Sequence, residues 1–317
     1  MHETTPAGPS GAMHPGPLGP PAERRGLRAM SAASRRRVTF AFGLALFAGP
    51  VFGQEASEPE TGAASLLEST LAAEGIQIDL EAGRVGLPVT VLVRDDLLEY
   101  LVVGPRGATH EGLFLTQATP SLISTALLAI GTEAGENARW IEKDPGAGSG
   151  ATPTNDRGHV SPEFEVVPPS GSDAARLYLY AGWREDGESY FYRVDDLVAN
   201  LETGRSMRRH PWVYLGSRFH RVREGEPEVF VADLEQNLVN VSFFYQGNTL
   251  ITAALPECQT QTIWLANSWL LPERGSPVTL VFSRSPMSAL PAGWESVVTA
   301  AASPEDPGAG DSEDDAR

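Results

Sequence analysis

Residues 177–194 read LYLYAGWREDGESYFYRV, and this stretch does most to decide the fold. Two runs rich in apolar and aromatic residues flank Asp186-Gly187, a pair typical of a tight β-hairpin because both turn positions accept a positive φ angle. The aromatic residues are Tyr178, Tyr180, Trp183, Tyr190, Phe191 and Tyr192. We expect them to pair across the strands and fill a core; stacking on sugars or peptides is the alternative.

Strand-like runs continue on both sides of this hairpin. Residues 89–93 and 98–103 flank a polar break and predict another hairpin. Further strand-like segments lie at 212–215, 229–232, 238–244, 262–265 and 278–282, and residues 233–237 predict a turn between two of them. The chain therefore predicts an α+β fold, mostly antiparallel β-sheet with two or three short helices, in a single domain with disordered termini.

The helix signals are local and short. Pro120 follows the potential cap Thr119, Gly131 supplies a stop, and apolar residues recur at helical spacing between them, which predicts a helix over 119–130. A short helix is also predicted over 63–74. Asp195 is expected to cap another over 196–202.

The composition divides the chain into segments. Residues 1–53 combine an N-terminal extension with a signal peptide, and residues 63–294 form the α+β domain. A low-complexity stretch near 144–158 is interpreted as an insertion, with a domain linker as the alternative. Residues 295–317 are rich in acidic, Gly, Ser and Ala residues and predict an acidic disordered tail.

The signal peptide is predicted within residues 30–53. Arginines at 35–37 precede an apolar run at 38–51, and small residues surround a cleavage point after Gly53. We hypothesise that Met30 is the true start. An uncleaved anchor is the alternative, although the apolar run is short for a membrane span. The predicted location is the periplasm or the extracellular space.

The charge limits the classes of partner. Lys and Arg number 24 against 41 Asp and Glu, giving a formal net charge of -17. Such a chain repels nucleic acid and anionic lipid, so neither nucleic-acid binding nor membrane insertion after signal cleavage is expected. The predicted partner is an unknown exported protein or a small ligand, and no cofactor is predicted.

The candidate catalytic residues are Glu99, His110 and Glu111. His110 could bind a metal ion through a neutral ring nitrogen, and Glu111 could activate water. Adjacent residues in an extended segment point to opposite faces, so these two would converge only at a turn. Glu99 is interpreted as solvent-facing; in the alternative it contacts His110.

Other polar residues have plainer interpretations. Cys258, the one cysteine, is expected to be a small buried hydrophobe, with an intermolecular disulfide or a nucleophile as alternatives. Arg205, Arg208 and Arg209 are expected to pair with nearby carboxylates rather than grip an anion. His210 is expected in a solvated loop.

One longer stretch, LEYLVVGPRGATHEGLFLTQATPSLISTALLAIG at residues 98–131, resembles the YdjY-like family. Residues 212–217, 232–233 and 275–279 resemble the long form of that family, so the resemblance spans most of 76–283. Gly often stands in the family's turn near 234–237, where Asn237 is expected to adopt the left-handed conformation instead. The resemblance implies an exported protein of unknown function and supplies no catalytic residue.

The sequence favours a non-catalytic exported binding or interaction module over an enzyme. The enzymatic alternative is a metal-assisted hydrolase that uses Glu99, His110 and Glu111. A scaffold or envelope component without a small ligand is a third hypothesis.

Overall fold

Short strands make up most of the regular structure in the computed structural model, which describes residues 59–143 and 164–298. The strands are β1 (Gln77–Asp79), β2 (Arg84–Val91), β3 (Tyr100–Val103), β4 (Gly112–Leu115), β5 (Arg139–Glu142), β6 (Phe164–Val167), β7 (Arg176–Glu185), β8 (Glu188–Arg193), β9 (Val198–Asn200), β10 (Arg205–Ser206), β11 (Trp212–Tyr214), β12 (Phe219–His220), β13 (Val229–Phe230), β14 (Asn237–Asn240), β15 (Ile251–Thr252), β16 (Trp264–Ala266), β17 (Pro277–Ser283) and β18 (Ser296–Val298). The α-helices are α1 (Pro59–Ala73), α2 (Pro120–Ala129) and α3 (Val231–Glu235).

These elements extend past the predicted bounds of the domain. Helix α1 begins at Pro59, before residue 63, and β18 follows residue 294. All of the described elements belong to one unit, Ser57–Arg317. The predicted signal peptide at 30–53, the insertion near 144–158 and residues 299–317 of the acidic tail predicted at 295–317 lie outside the described residues. The start of that predicted tail forms β18.

Within the described chain, eight strands form a closed ring. Their order is β2, β17, β7, β11, β15, β14, β3 and β4, and β4 pairs again with β2. Most neighbours are antiparallel, but β14 with β15 and β3 with β4 are parallel pairs. The α+β class and the mostly antiparallel pairing are confirmed, whereas the predicted sheet is corrected to a closed barrel. Closure satisfies the backbone groups that an open sheet leaves at its edges.

The hairpin predicted at residues 177–194 is confirmed. Strands β7 and β8 pair around Asp186 and Gly187, whose φ angles of 50° and 85° are both positive, as the tight turn requires. Trp183 packs on Tyr190 and Tyr192 across the strands. This confirms, for these three residues, the prediction that the aromatic side chains pair across the strands.

The hairpin predicted at residues 89–103 is wrong. Strand β3 pairs with β4 and β14, not with β2, and β4 lies between β2 and β3 in the ring. The polar break therefore lies in a connection between two strands that are not neighbours in the ring, rather than in a tight turn.

Two further local predictions are corrected. Residues Val194–Leu197 form a single 3-10 turn that runs directly into β9, where a helix over 196–202 was expected. Residues 231–235 form helix α3 instead of part of a hairpin turn, and Gln236, not Asn237, takes the left-handed conformation with φ of 56°. Asn237 already begins β14.

Helix α2 confirms the clearest helix signal. It covers Pro120–Ala129 and packs against β2 and α3, with Ile123, Ala126 and Leu127 buried. Ser124 and Tyr214 share a hydrogen bond of 2.8 Å that ties the helix to β11. One large hydrophobic cluster joins the helix to the interior of the ring. Strand β14 of this ring leads into the loop that carries part of the candidate site.

Candidate functional site

An open cleft of about 280 Å³ lies where β3, the end of α3, β14 and the loop after β14 meet. Its lining is mostly amide-bearing and aromatic: Tyr100, Glu235, Asn237, Asn240, Phe244, Gln246, Asn248 and Thr249. All but Tyr100 come from one continuous stretch, 235–249, which bends around the cleft. The sequence arguments above did not select any of these residues.

Strand pairing places Tyr100 beside the 235–249 stretch of the cleft lining. Tyr100 of β3 lies opposite Asn240 of β14 in the antiparallel register. The register shifts twice within β14, and such irregularities re-aim side chains in many binding sites. Phe244 then stacks on Tyr100, with ring centroids 4.9 Å apart and planes 10° from parallel. The result is a flat aromatic surface beside a polar strand.

Several polar lining groups are fixed by hydrogen bonds within the chain. Asn248 accepts a bond from Arg218 at 2.7 Å and donates one to Glu235 at 2.6 Å. Asn237 accepts a bond from the backbone N–H of Ala108 at 2.8 Å. These contacts hold the amide groups in position, which reduces the ordering cost of binding a ligand.

Asn240 differs from these residues. Its side chain is almost fully buried, with 2% of the residue exposed, yet its Oδ1 has no hydrogen-bond partner among the described residues. A buried acceptor left unpaired costs about 1–3 kcal/mol, so native proteins seldom keep one without a reason. Because Oδ1 has almost no exposed surface, Asn240 lines the cleft with its other atoms, and the unpaired acceptor lies behind them.

The structure brings the three predicted catalytic residues together. A turn at residues 108–111 places His110 Nε2 3.5 Å from Glu111 Oε1, so the pair does converge. The backbone N–H of Glu99 donates to the carbonyl oxygen of Glu111, and the two carboxyl side chains lie close enough to influence each other's charge. None of the three lines the cleft, although both carboxylates lie near Tyr100.

The environment of Glu99 favours its neutral form. Partial burial, followed by repulsion from Glu111, raises the pKa of Glu99 from 4.5 to about 7. Burial, with the nearby Glu99, Glu111 and Glu235 carboxylates, also raises the pKa of Tyr100. The phenol therefore stays protonated and can act as a hydrogen-bond donor beside the cleft.

The raised pKa makes folding stability depend on pH. The stabilisation from neutral Glu99 is complete below about pH 4.5 and is lost as pH rises through about 7. Because Glu99 is partly exposed, we expect a loss of about 1–2 kcal/mol. Glu99→Gln should remove most of this dependence, as measured by urea unfolding at acidic and alkaline pH. Glu81→Gln, at an exposed position, is the control, and equal pH dependence in the two variants would contradict the assignment.

Metal binding was the chemistry predicted for His110. Among residues 59–143 and 164–298, no group of three or more His, Cys, Asp or Glu side chains is placed to hold a metal ion. The exposed His110 side chain lies within ion-pair distance of Glu111.

The other polar predictions have clear outcomes. Arg208 forms a two-bond ion pair with Glu257, and Arg209 forms one with Asp196, as the plainer interpretation required. Cys258 is fully buried, and burial raises the pKa of its thiol. The thiol is therefore neutral and shielded, which matches the interpretation as a small buried hydrophobe.

His210 corrects the sequence interpretation. It was expected in a solvated loop, but only 7% of the residue is exposed, and its Nδ1 lies 2.9 Å from the buried carboxylate of Asp195. The flanking Arg209 and Pro211 gave a local signal of exposure. The contact with Asp195, distant in sequence, overrides that signal.

Comparison of the chain with protein-family models, with curated proteins and with solved structures finds no match. The YdjY-like resemblance thus stays a prediction from the residues quoted above. No helix in the described part of the chain is long and apolar enough to cross a membrane.

Proposed function

We propose that this chain is an exported, non-catalytic binding protein that holds a small polar ligand in the cleft beside β14. The observation that carries the proposal is the convergence of four amide side chains and the stacked Tyr100–Phe244 pair on one cleft. Amide groups that the fold already holds in position bind a polar ligand at a reduced ordering cost.

The size of the cleft limits the ligand. Its volume of about 280 Å³ lies just below the ~300–1,000 Å³ typical of ligand pockets, so the ligand must be small. The polar side chains around it converge from a short strand and one loop, as in sites that fix the orientation of a small molecule.

The charge of the cleft limits the ligand further. Glu235 lines it, Glu99 and Glu111 lie near its Tyr100 wall, and no Lys or Arg belongs to the described lining. An anionic ligand would meet repulsion from Glu235 in the lining and from Glu111 nearby. The ligand is therefore neutral or cationic.

Export is supported by the signal pattern at residues 30–53 and by the resemblance to an exported family. The YdjY-like assignment is part of the same proposal. Glu99, His110 and Glu111 lie beside the cleft rather than in its lining, so the candidate acid–base group does not face the bound ligand. This placement favours binding over the metal-assisted hydrolase, which remains a prediction from the sequence.

Asn240→Leu separates stability from binding. The variant removes an unpaired buried polar group and keeps the number of side-chain heavy atoms, so we expect its free energy of unfolding to be equal or about 1 kcal/mol higher. We expect binding to be weakened, because an amide of the cleft lining is lost. The measurement is the NMR shift of backbone amides at residues 235–249 when isotope-labelled protein meets maltose, choline or triglycine, probes of three chemical classes.

Ser242→Ala is the matched control. Ser242 is also fully buried with an unpaired Oγ, but it does not line the cleft. Its substitution should leave binding unchanged. The proposal fails if no probe shifts the cleft amides, or if Asn240→Leu binds as the unchanged chain does.

A further inference from the structure

We propose that the ligand of this cleft is a neutral saccharide of one or two rings, bound with one ring against Phe244. This inference rests on the proposed function and names its ligand class. It is carried by three features of the cleft: its mixed amide donors and acceptors, its stacked aromatic surface, and its negative charge.

The hydrogen-bonding groups match hydroxyls. A hydroxyl both donates and accepts, and an amide side chain offers an acceptor and two donors at fixed spacing. Asn240 lines the cleft, while the Oδ1 of Asn237 is already occupied by Ala108 and leaves its NH₂ group to donate. Gln246 adds an exposed amide at the rim. Adjacent hydroxyls of a sugar ring can engage donors and acceptors of this kind together.

The aromatic pair supplies the apolar contact that a sugar ring requires. Phe244 is half-buried, lies flat on Tyr100, and also lines the cleft. The face of an aromatic ring carries partial negative charge and attracts the C–H groups on the apolar face of a sugar. Because Tyr100 holds Phe244 in place, little side-chain entropy is lost on binding.

The charge distribution selects a neutral sugar over an amine. Glu235, the carboxylate in the lining, already accepts a hydrogen bond from Asn248, which in turn is held by Arg218. A cation would therefore have to give up its hydration to meet a carboxylate that already has a hydrogen-bond partner.

The test is titration of the mature chain with maltose, cellobiose and N,N′-diacetylchitobiose, followed by calorimetry and by NMR shifts at residues 235–249. Choline and putrescine are the cationic probes, and glucose 6-phosphate is the anionic one. We expect one of the neutral disaccharides to bind, glucose 6-phosphate to bind more weakly than that disaccharide, and Phe244→Ala to weaken binding about tenfold.

Two further variants distinguish a loss of ligand binding from a loss of folding. Gln246→Ala, at an exposed position, should weaken binding by about threefold to tenfold without a change in melting temperature. Trp269→Ala is the control, since Trp269 is 94% exposed and lies outside the cleft lining. Loss of saccharide binding in Trp269→Ala but not in Phe244→Ala would overturn the inference.

The remaining outcomes separate the two proposals. If choline or putrescine shifts the cleft amides and no saccharide does, the saccharide inference is overturned while the binding function stands. If no probe of any class shifts them, both are overturned. Preferential binding of glucose 6-phosphate would overturn the charge argument and the inference with it.

Discussion

Replacing Asp195 with Ala is expected to lower the free energy of unfolding by about 3–5 kcal/mol, because the change leaves buried donors without their acceptor. Asp195 is fully buried. Its Oδ2 accepts a hydrogen bond from Arg193 Nε at 3.0 Å, and its Oδ1 accepts one from the backbone N–H of His210 at 3.2 Å. Removal of the carboxylate would leave the largely buried guanidinium without a counter-charge.

The ring of His210 adds to this cluster. Its Nδ1 lies 2.9 Å from Asp195 Oδ1 and 3.0 Å from the carbonyl oxygen of Arg208, and both are acceptors, so Nδ1 carries a proton. Arg193 also donates to the carbonyl oxygen of His210 at 2.6 Å. The carboxylate thus joins the end of β8 to the segment that enters β11, a strand of the ring.

The measurement is urea unfolding followed by tryptophan fluorescence. Asp173→Ala is the control, because Asp173 pairs with Arg176 in an ion pair whose side chains are 96% and 50% exposed. That exposed pair should contribute less than about 1 kcal/mol. If the two variants lost equal stability, the buried cluster would not have the structural role assigned to it.

This cluster shows where local sequence signals fail. Asp195 follows a strand and precedes apolar residues, which is typical of a helix cap, and His210 stands between an arginine and a proline, which is typical of a loop. Each residue instead meets the other across 15 positions of sequence. A carboxylate that must satisfy two buried donors cannot also start a helix, so tertiary contacts decide its conformation.

Local sequence signals predict those elements of the fold that form between residues close together in the chain. The Asp186-Gly187 hairpin and helix α2 follow from turn chemistry and periodicity within a few residues. Closure of the ring depends on pairs such as β2 with β17 and β14 with β15, whose partners the turn signals do not specify. The parallel pairing of β3 with β4 could not be predicted from turn signals, because parallel strands are not joined by a tight turn.

The site was predicted less well than the fold. Glu99, His110 and Glu111 were selected because their side chains are reactive types, and the structure does bring them together. Asn240 was missed because an asparagine in a strand-like run reads as an ordinary solvent-facing position. The signal that could have found it is the density of amides in QNLVNVSFFYQGNT, residues 236–249, within an otherwise apolar and aromatic stretch.

Phe114→Ala is expected to lower the free energy of unfolding by about 3–5 kcal/mol, and to do so by opening the ring at one place. Phe114 is fully buried in β4, the short strand that joins β2 to β3. It lies opposite Val91 on one side and Val102 on the other. Loss of its ring removes packing from both junctions at once.

Two measurements separate a local opening from a general loss of packing. Urea unfolding gives the total change, and hydrogen exchange locates it: amides at the β2–β4 junction, such as that of Leu92, which donates to Leu113, should exchange faster than amides in β17. Phe219→Ala makes the same chemical change at a side chain that is 66% exposed and should cost less than about 0.5 kcal/mol. A similar small cost for Phe114→Ala, or exchange that is equally fast in β17, would mean that β4 does not close the ring. The cleft shares β3 with this junction, so a ring that opens there should also weaken ligand binding even though Phe114 does not line the cleft.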